Sequence, residues 1–186
     1  SVVVEKGPAK LIARGPRREE GLAWVIVRAP RGASLDLAID NGPLSVRGVE
    51  GKLSIHGQNG PVSLRDVSGD IEVELENGPA SLSGGAGSIR IRTENGPIDI
   101  DLGAGDWRGE GLEASAVNGP LSLELDDDFR SSVRIESSGH APWDCGAPCR
   151  RAGKDWDGDD RWVTFGSAPY KVRLSTENGP ISIDAR

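Results

Sequence analysis

The chain of 186 residues contains no methionine, one tyrosine, two phenylalanines and two histidines. With only His56 and His140 present, the sequence offers little material for a serine or cysteine nucleophile activated by a histidine base. No apolar run approaches the roughly 18 residues that cross a bilayer, so we expect no transmembrane segment. Because position 1 is not methionine, we expect Ser1 to follow a processing site or an artificial junction, with an upstream signal or anchor removed.

Basic residues are fewer than acidic ones. The chain has 22 lysines and arginines and 29 aspartates and glutamates, which gives a net charge of −7. Affinity for nucleic acid rests mainly on contacts between basic side chains and phosphates. The composition therefore excludes DNA and RNA as expected partners.

Cysteine is equally scarce, with Cys145 and Cys149 as the only two. Their close spacing suits a small disulfide, and such bonds persist in oxidising compartments. We therefore expect a protein located outside the cytoplasm, in the periplasm, on the cell surface or secreted. Two reduced thiols in a cytosolic protein are the alternative.

A repeated tripeptide, Asn-Gly-Pro, is the most prominent positive feature of the sequence. The first three intervals are 18 residues, the fourth is 23 and the last is 60. Within the last interval, Val133–Ser138 resembles the segment that precedes each tripeptide, and Gly139–Pro142 forms a degenerate copy. The asparagines that open the intact tripeptides are Asn41, Asn59, Asn77, Asn95, Asn118 and Asn178.

The apolar pattern predicts what each repeat forms. Steps of nine residues from Leu35 or from Leu37 meet only apolar residues as far as Ile98 and Ile100. Polar residues lie between them, so each segment alternates like a strand with one buried face. An antiparallel meander of hairpins is the alternative, but the proline after each glycine lacks the N–H that a hairpin ladder uses. A hexapeptide left-handed helix needs a period of six, which is absent.

We therefore predict an all-β protein, a single-stranded parallel β-solenoid (β-helix). It would have about seven rungs of ~18 residues, with two short strands per rung and Asn-Gly-Pro corners. Residues 1–186 would form one domain, with 1–30 as an N-terminal cap, 31–140 as regular rungs, 141–161 as an inserted loop and 162–186 as the final rung. The strand at Ile181–Ile183 would then be an open end, which allows end-to-end self-association.

In-register stacking predicts columns of outward side chains. Glu72 and Arg90 would form ion pairs along one column, and the corner asparagines would form a hydrogen-bonded ladder. Serines occupy most of the first outward positions after the corners. These features fix the register of the strands and are not expected to carry chemistry.

The segment 141–161 departs most from the repeat and is the predicted binding site. The residues that could contact a protein or a glycan are Trp143, Trp156, Trp162, Arg150 and Arg151. Equally, the tryptophans could fold back over the flank of the solenoid. Calcium is the one metal the segment suggests, because Asp155, Asp157 and Asp159 alternate around a glycine. Zinc, from His140 with the two cysteines, lacks a fourth ligand.

Several repeats also resemble a known family. Glu-Asn-Gly-Pro-Ile-Asp-Ile and Thr-Glu-Asn-Gly-Pro-Ile-Ser-Ile, preceded by Gly-Ser-Ile-Arg-Ile-Arg or Gly-Asp-Ile-Glu-Val-Glu, resemble the bacterial putative-adhesin family of β-strand-repeat proteins over residues 31–186. The resemblance implies an exported or membrane-anchored β-helix without enzymatic activity. The family's usual corner has aspartate where this chain has proline, and its motif assigns no functional residues.

These observations predict a non-enzymatic binding or scaffold module, adhesin-like, that engages a protein or glycan by a solenoid face or by the 141–161 segment. No catalytic residue is expected: Ser54, His56 and Glu74 would lie together, but on a flat exposed strand face without a pocket. The alternative is a carbohydrate-active enzyme on a β-helix scaffold. That alternative predicts a groove with clustered carboxylates.

Overall fold

The computed structural model describes residues 2–3, 9–13, 27–28, 30–138, 142–146, 152–157 and 160–185. Of those before residue 29, and of 138, 154–157 and 160, it describes the backbone alone. Within these residues every regular element is a strand. The strands are β1 Val2–Val3, β2 Ala9–Ala13, β3 Val27–Arg28, β4 Ala33–Asn41, β5 Leu44–Arg47, β6 Glu50–Asn59, β7 Val62–Asn77, β8 Ala80–Asn95, β9 Ile98–Leu102, β10 Gly111–Asn118, β11 Leu121–Leu125, β12 Val133–Ser138, β13 Trp143–Cys145, β14 Gly153–Asp157, β15 Asp160–Phe165, β16 Val172–Asn178 and β17 Ile181–Ala185.

The fold is all-β, a curled open sheet whose strands are mostly parallel. Two rows of parallel strands can be followed through it. The pre-corner row contains the strands that lead into a corner, in the spatial order β2, β4, β6, the second halves of β7 and β8, β10, β16 and β12. The post-corner row contains β5, the first halves of β7 and β8, β9, β11, β17 and β13.

The Asn-Gly-Pro corners are linked from one repeat to the next. The N–H of Gly60 donates to the carbonyl oxygen of Asn77 at 3.0 Å, and the N–H of Val62 donates to that of Pro79 at 2.9 Å. Neither bond closes a turn within its own repeat. The hairpin alternative is therefore wrong, because β6 and β7 run parallel through the corner instead of pairing as an antiparallel turn would require.

The core lies between the inward faces of the two rows. The predicted apolar ladder is buried, with Leu44, partly buried, as the one exception among the predicted positions. Ile55 and Ile98, from opposite rows, are both 0% exposed. The recurrence of apolar residues every nine positions, alternately in the two rows, therefore predicts which residues form the core.

The last repeat of the chain does not lie at the end of the stack. Strand β16 pairs with β10 on one side and β12 on the other, and β17 lies in the same way between β11 and β13. In chain order β12 and β13 precede β16 and β17, yet they lie one position further from β10 and β11. Strands β16 and β17 occupy the positions in between. The prediction of an open end at Ile181–Ile183 is therefore wrong, since both edges of β17 are hydrogen-bonded.

A close approach at the corner explains this order. A Cβ atom added to Gly179 would clash with the carbonyl oxygen of Gly119, so only glycine fits beside that corner. In the sequence, the degenerate corner has Ala141 before Pro142, whereas the last repeat has Gly179 before Pro180. The repeat with the intact corner is the one that can stack on Asn118-Gly-Pro.

An antiparallel hairpin covers the outer edge of β12. Strand β15 pairs antiparallel with β12, and β14 pairs antiparallel with β15. Val163 opposes Ile135 and is 1% exposed, so the hairpin contributes to the core. The structure differs here from the loop predicted for 141–161, because most of its described residues lie in β13, β14 and β15.

At the other end, β2 extends the pre-corner row beside β4, and β1 and β3 form a separate two-stranded sheet. Residues 24–26, predicted to help cap this end, lie outside the described residues. Across the part of the chain that is described, no helix is long and apolar enough to cross a membrane.

Candidate functional site

The repeat turns twice, and its second turn follows each post-corner strand. Between β9 and β10 this turn is longer, which accounts for the 23-residue interval between Asn95 and Asn118. The extra residues carry Trp107 back over the preceding second turn. There the indole is 7% exposed, and its Nε1–H donates to the carbonyl oxygen of Gly87 at 3.1 Å.

Two neighbours hold Trp107 in place. Its backbone N–H donates to Oγ of Ser131 at 2.7 Å. On the other side, a Cβ at Gly85 would lie 3.3 Å from Cη2 of the indole, so the ring packs closely on bare backbone. The position of the ring is thus fixed by both a polar and a steric contact.

Trp107 forms one wall of a surface groove of about 570 Å³. We call it the second-corner groove, because it is built from five successive second turns, of which the first and the last contribute Glu50 and Phe129 alone. Its lining combines two aromatic rings, four charged side chains and a stretch of small residues: Trp107, Phe129, Glu50, Asp66, Asp106, Arg108, Gly84, Gly85, Ala86, Gly103 and Ala104, with Val67, Ser68 and Leu102.

Charge in the groove is mostly negative and open to solvent. Glu50, Asp66 and Asp106 are exposed carboxylates, and Arg108 is the one cation of the lining. Glu50 also lies 3.7 Å from Nε of Arg31, measured from its Oε2. Carboxylates accept hydrogen bonds from hydroxyl and amino groups, and a guanidinium donates them.

Asp66 stands at a backbone position that its neighbours give to glycine. It has a φ of 52°, while Gly48 and Gly84 at the equivalent turns have φ of 63° and 64°. Left-handed backbone costs a side-chain-bearing residue about 1 kcal/mol, although aspartate is among those that tolerate it best. Asp66 therefore places a carboxylate on the groove at a position where the fold itself requires none.

The described tryptophans of the predicted binding segment behave differently from each other. Trp143 opposes Ile181, is half-buried and packs against the core. Trp162 points outward, and Cζ of Arg134 lies 5.0 Å from its ring centroid. The same guanidinium carbon lies 6.0 Å from the ring of Tyr170. Trp143 therefore contributes to the core, whereas Trp162 stacks on an outward arginine.

The remaining predicted site residues are not brought together by what the structure describes. Asp155, Trp156 and Asp157 lie in β14, where only the backbone is described, and Arg150, Arg151 and Asp159 lie outside the described residues. Calcium binding by these aspartates stays a prediction. In the described portion, no cluster of three or more histidine, cysteine, aspartate or glutamate side chains could hold a metal.

The disulfide also stays a prediction. Cys145 lies in β13 and packs against the core, and Cys149 lies outside the described residues. Among the residues that the structure describes, no cysteine is free.

The predicted columns are present on the pre-corner row. Arg90 lies 4.0 Å from Glu72 and 3.3 Å from Glu113, and His56 lies 3.3 Å from Glu74. The Nδ2 group of each corner asparagine after the first donates to Oδ1 of the asparagine at the adjacent corner, at 3.1 to 3.4 Å. The ladder runs unbroken from Asn41 to Asn118 and on to Asn178. These contacts are exposed, and they join side chains of neighbouring strands in register.

Sequence reasoning missed the second-corner groove. Its lining runs from Glu50 to Phe129. Equivalent positions of the first three turns are 18 residues apart, as Glu50, Ser68 and Ala86 are, but the lining residues there share no residue type, and the fourth turn is longer. A signal was nevertheless present: the one interval of 23 residues contains the Trp107-Arg108 pair. An insertion that adds an aromatic and a charged residue to a regular turn is typical of a functional loop.

Comparison with models of protein families, with curated proteins and with solved structures gives no match for this chain. The resemblance to the putative-adhesin family therefore remains a prediction from the repeat alone.

Proposed function

We propose that this chain is a single-stranded parallel β-solenoid of about seven rungs that acts outside the cytoplasm as a non-enzymatic binding module. Its ligand site would be the second-corner groove, and its ligand class a glycan. The two-row pairing of parallel strands in register supports the solenoid. The adhesin resemblance and the cysteine pair support export.

The groove is the observation that carries the proposal. A cavity of about 570 Å³ falls within the usual range for small-molecule sites. Its lining offers carboxylate acceptors, an arginine donor and the partly exposed ring of Phe129, groups that can contact the hydroxyls and an apolar face of a sugar. A rigid scaffold of hydrogen-bonded strands holds these groups, so binding would require little ordering of the protein.

A glycan-binding screen tests this proposal with a variant that blocks the groove. A Cβ at Gly103 meets nothing within 4 Å, so Gly103→Phe can place a ring in the groove without disturbing the backbone. Val117→Phe adds the same ring at an exposed position outside the groove and serves as the control. Binding that the wild type and Val117→Phe share and Gly103→Phe lacks would support the site. Equal binding by all three, or no glycan bound by the wild type, would reject it.

A carbohydrate-active enzyme is the second candidate, because Glu50, Asp66 and Asp106 line one groove and such an enzyme uses carboxylates on either side of the scissile bond. The general acid of a glycosidase usually occupies an apolar, water-poor environment. All three carboxylates here are exposed, which favours binding over hydrolysis. Release of reducing ends from a bound glycan, lost in both Asp66→Asn and Asp106→Asn while binding persists, would favour the enzyme instead.

A further inference from the structure

The outward face of the post-corner row has its charges sorted by sign. One column contains, in spatial order, Arg47, Arg65, Ser83, Asp101, Glu124 and Asp184, which are register partners from strand to strand. The parallel column two residues earlier contains Ser45, Ser63, Ser81, Asp99, Ser122 and Ser182. We call these twelve residues the charge-split face. It is basic at one end, hydroxyl-rich in the middle and acidic at the other end. Asp144 of β13 follows Ser182 in the second column and adds to the acidic end.

Ion pairs of Arg47 and Arg65 with the described residues do not explain this sorting. Like charges directly opposite each other on neighbouring strands are destabilising, yet Arg47 opposes Arg65, and Asp101, Glu124 and Asp184 follow one another. In the described part of the chain neither arginine of this face forms an ion pair. The pre-corner row is sorted less completely: Arg90 lies between two glutamates, although Arg173 opposes Arg134 further along.

We propose that the charge-split face binds a second copy of this chain and forms a two-fold symmetric, face-to-face dimer. The axis lies in the interface, parallel to the strands, and passes between the strands of Ser83 and Asp101. This operation reverses the order of strands and leaves each column facing its own copy. Arg47 then faces Asp184, Arg65 faces Glu124, and Ser83 faces Asp101, each contact occurring twice.

The second column is compatible with the same operation. Ser45 faces Ser182, Ser63 faces Ser122, and Ser81 faces Asp99. No like-charge contact arises in either column. An axis along the stack instead would leave each repeat facing itself and bring Asp99 of one copy onto Asp101 of the other, so the charges select one symmetry and reject the other.

The middle of the face has the small side chains that close approach requires. Oγ of Ser81 donates to Oγ of Ser63 at 3.0 Å, and Oγ of Ser83 donates to Oδ2 of Asp101 at 3.1 Å, which holds these groups flat against the sheet. The strand spacing and rise give roughly 450 Å² per copy. This is below the roughly 800 Å² per partner of a standard interface. A weak dimer that weakens further with added salt is therefore expected.

Sedimentation velocity over a range of protein concentrations at low and high salt tests the dimer. Arg47→Glu with Arg65→Glu makes the face acidic throughout, and Glu124→Lys with Asp184→Lys reverses its acidic end to basic. Each double variant alone should be monomeric, and their equimolar mixture should form a 1:1 dimer. The variant with all four reversals should dimerise again. These four positions point outward and are exposed or half-buried, so circular dichroism should be unchanged.

Arg92→Glu with Arg173→Glu is the matched control, since it changes the charge equally on the exposed pre-corner row. It should dimerise as the wild type does. A wild type that stays monomeric at the highest concentration in low salt overturns the proposal. So does self-association that the double reversals leave unchanged, or a mixture of the two double variants that remains monomeric. None of these outcomes depends on the second-corner groove.

Discussion

At the scale of single residues, the Asn-Gly-Pro corner separates three tasks. Asparagine forms the side-chain ladder, glycine permits the close approach of successive corners, and the proline carbonyl accepts the N–H of the residue that starts the adjacent strand. Each task involves the neighbouring repeat. The tripeptide therefore recurs because every corner must fit the corner beside it.

The glycine task gives the sharpest prediction. Gly78 has a φ of 141°, and a Cβ there would clash with the carbonyl oxygen of Gly60. We expect Gly78→Ala to lower the free energy of unfolding by more than about 3 kcal/mol, or to prevent folding, since both backbone strain and steric overlap result. Gly103→Ala, where a Cβ meets nothing within 4 Å, should stay within about 0.5 kcal/mol of the wild type. Urea unfolding measures both, and equal stabilities would contradict this account of the corner.

The asparagine ladder predicts a position-dependent effect. Nδ2 of Asn95 donates to Oδ1 of Asn77 at 3.2 Å and to the carbonyl oxygen of Glu76 at 3.4 Å, and Oδ1 of Asn95 accepts from Asn118 at 3.1 Å. Asn41, at the end, accepts from Asn59 at 3.4 Å. Asn95→Ala should cost about 1 to 2 kcal/mol, and Asn41→Ala less than about 0.5, because fewer bonds are lost. Urea unfolding measures the free energy of unfolding of both variants. A larger decrease for Asn41→Ala than for Asn95→Ala would contradict this account of the ladder.

At the scale of strands, the sequence was sufficient to predict which side chains are buried, because burial follows the alternation of apolar and polar residues. The burial of Ile55, Ile71 and Ile89 follows directly from their spacing, because a strand residue's face is set by its parity. The sequence does not show which strand lies beside which. Val172 and Leu174 in β16 show the same apolar pattern as Val133 and Ile135 in β12, so alternation alone allows either strand beside β10.

The groove and the hairpin could not be predicted for related reasons. The groove joins residues as distant in sequence as Glu50 and Phe129, and its fourth turn has extra residues that the 18-residue repeat does not predict. The hairpin lies in a stretch rich in aspartate and glycine, and of its described side chains Val163 and Phe165, near its end, pack against the core. Local sequence predicted which face of each strand is buried, whereas long-range steric fit determined which strands and turns lie side by side.

If the hairpin is part of the folded core, its buried valine should affect global stability. Val163 is 1% exposed opposite Ile135, so Val163→Ala should lower the free energy of unfolding by about 2 kcal/mol through lost burial and an unfilled cavity. Thr164→Ala, on the opposite face of the same strand, should have a smaller effect. A loss at Val163 no larger than at Thr164 would mean that the hairpin unfolds independently of the stack.

At the scale of the whole molecule, strand order distinguishes this chain from a simple consecutive array. The C-terminal repeat is enclosed between two others, and the antiparallel hairpin covers the outer edge of the pre-corner row. Exposed strand edges promote association through the backbone. Self-association is therefore expected through the charge-split face and not through the C-terminal strand.

Cross-linking between pairs of introduced cysteines tests this strand order most directly, in a background where Cys145 and Cys149 are replaced by serine. Glu113 is the register partner of Arg173, and Arg134 is the partner of Arg173 on its other side. Neighbouring strands lie about 4.8 Å apart, and residues more than about 7 Å apart cannot form a disulfide without backbone movement. Oxidation should therefore join Glu113→Cys to Arg173→Cys and leave Glu113→Cys with Arg134→Cys unjoined, as read by mass spectrometry. A disulfide in the second pair and none in the first would contradict the enclosed position of the C-terminal repeat.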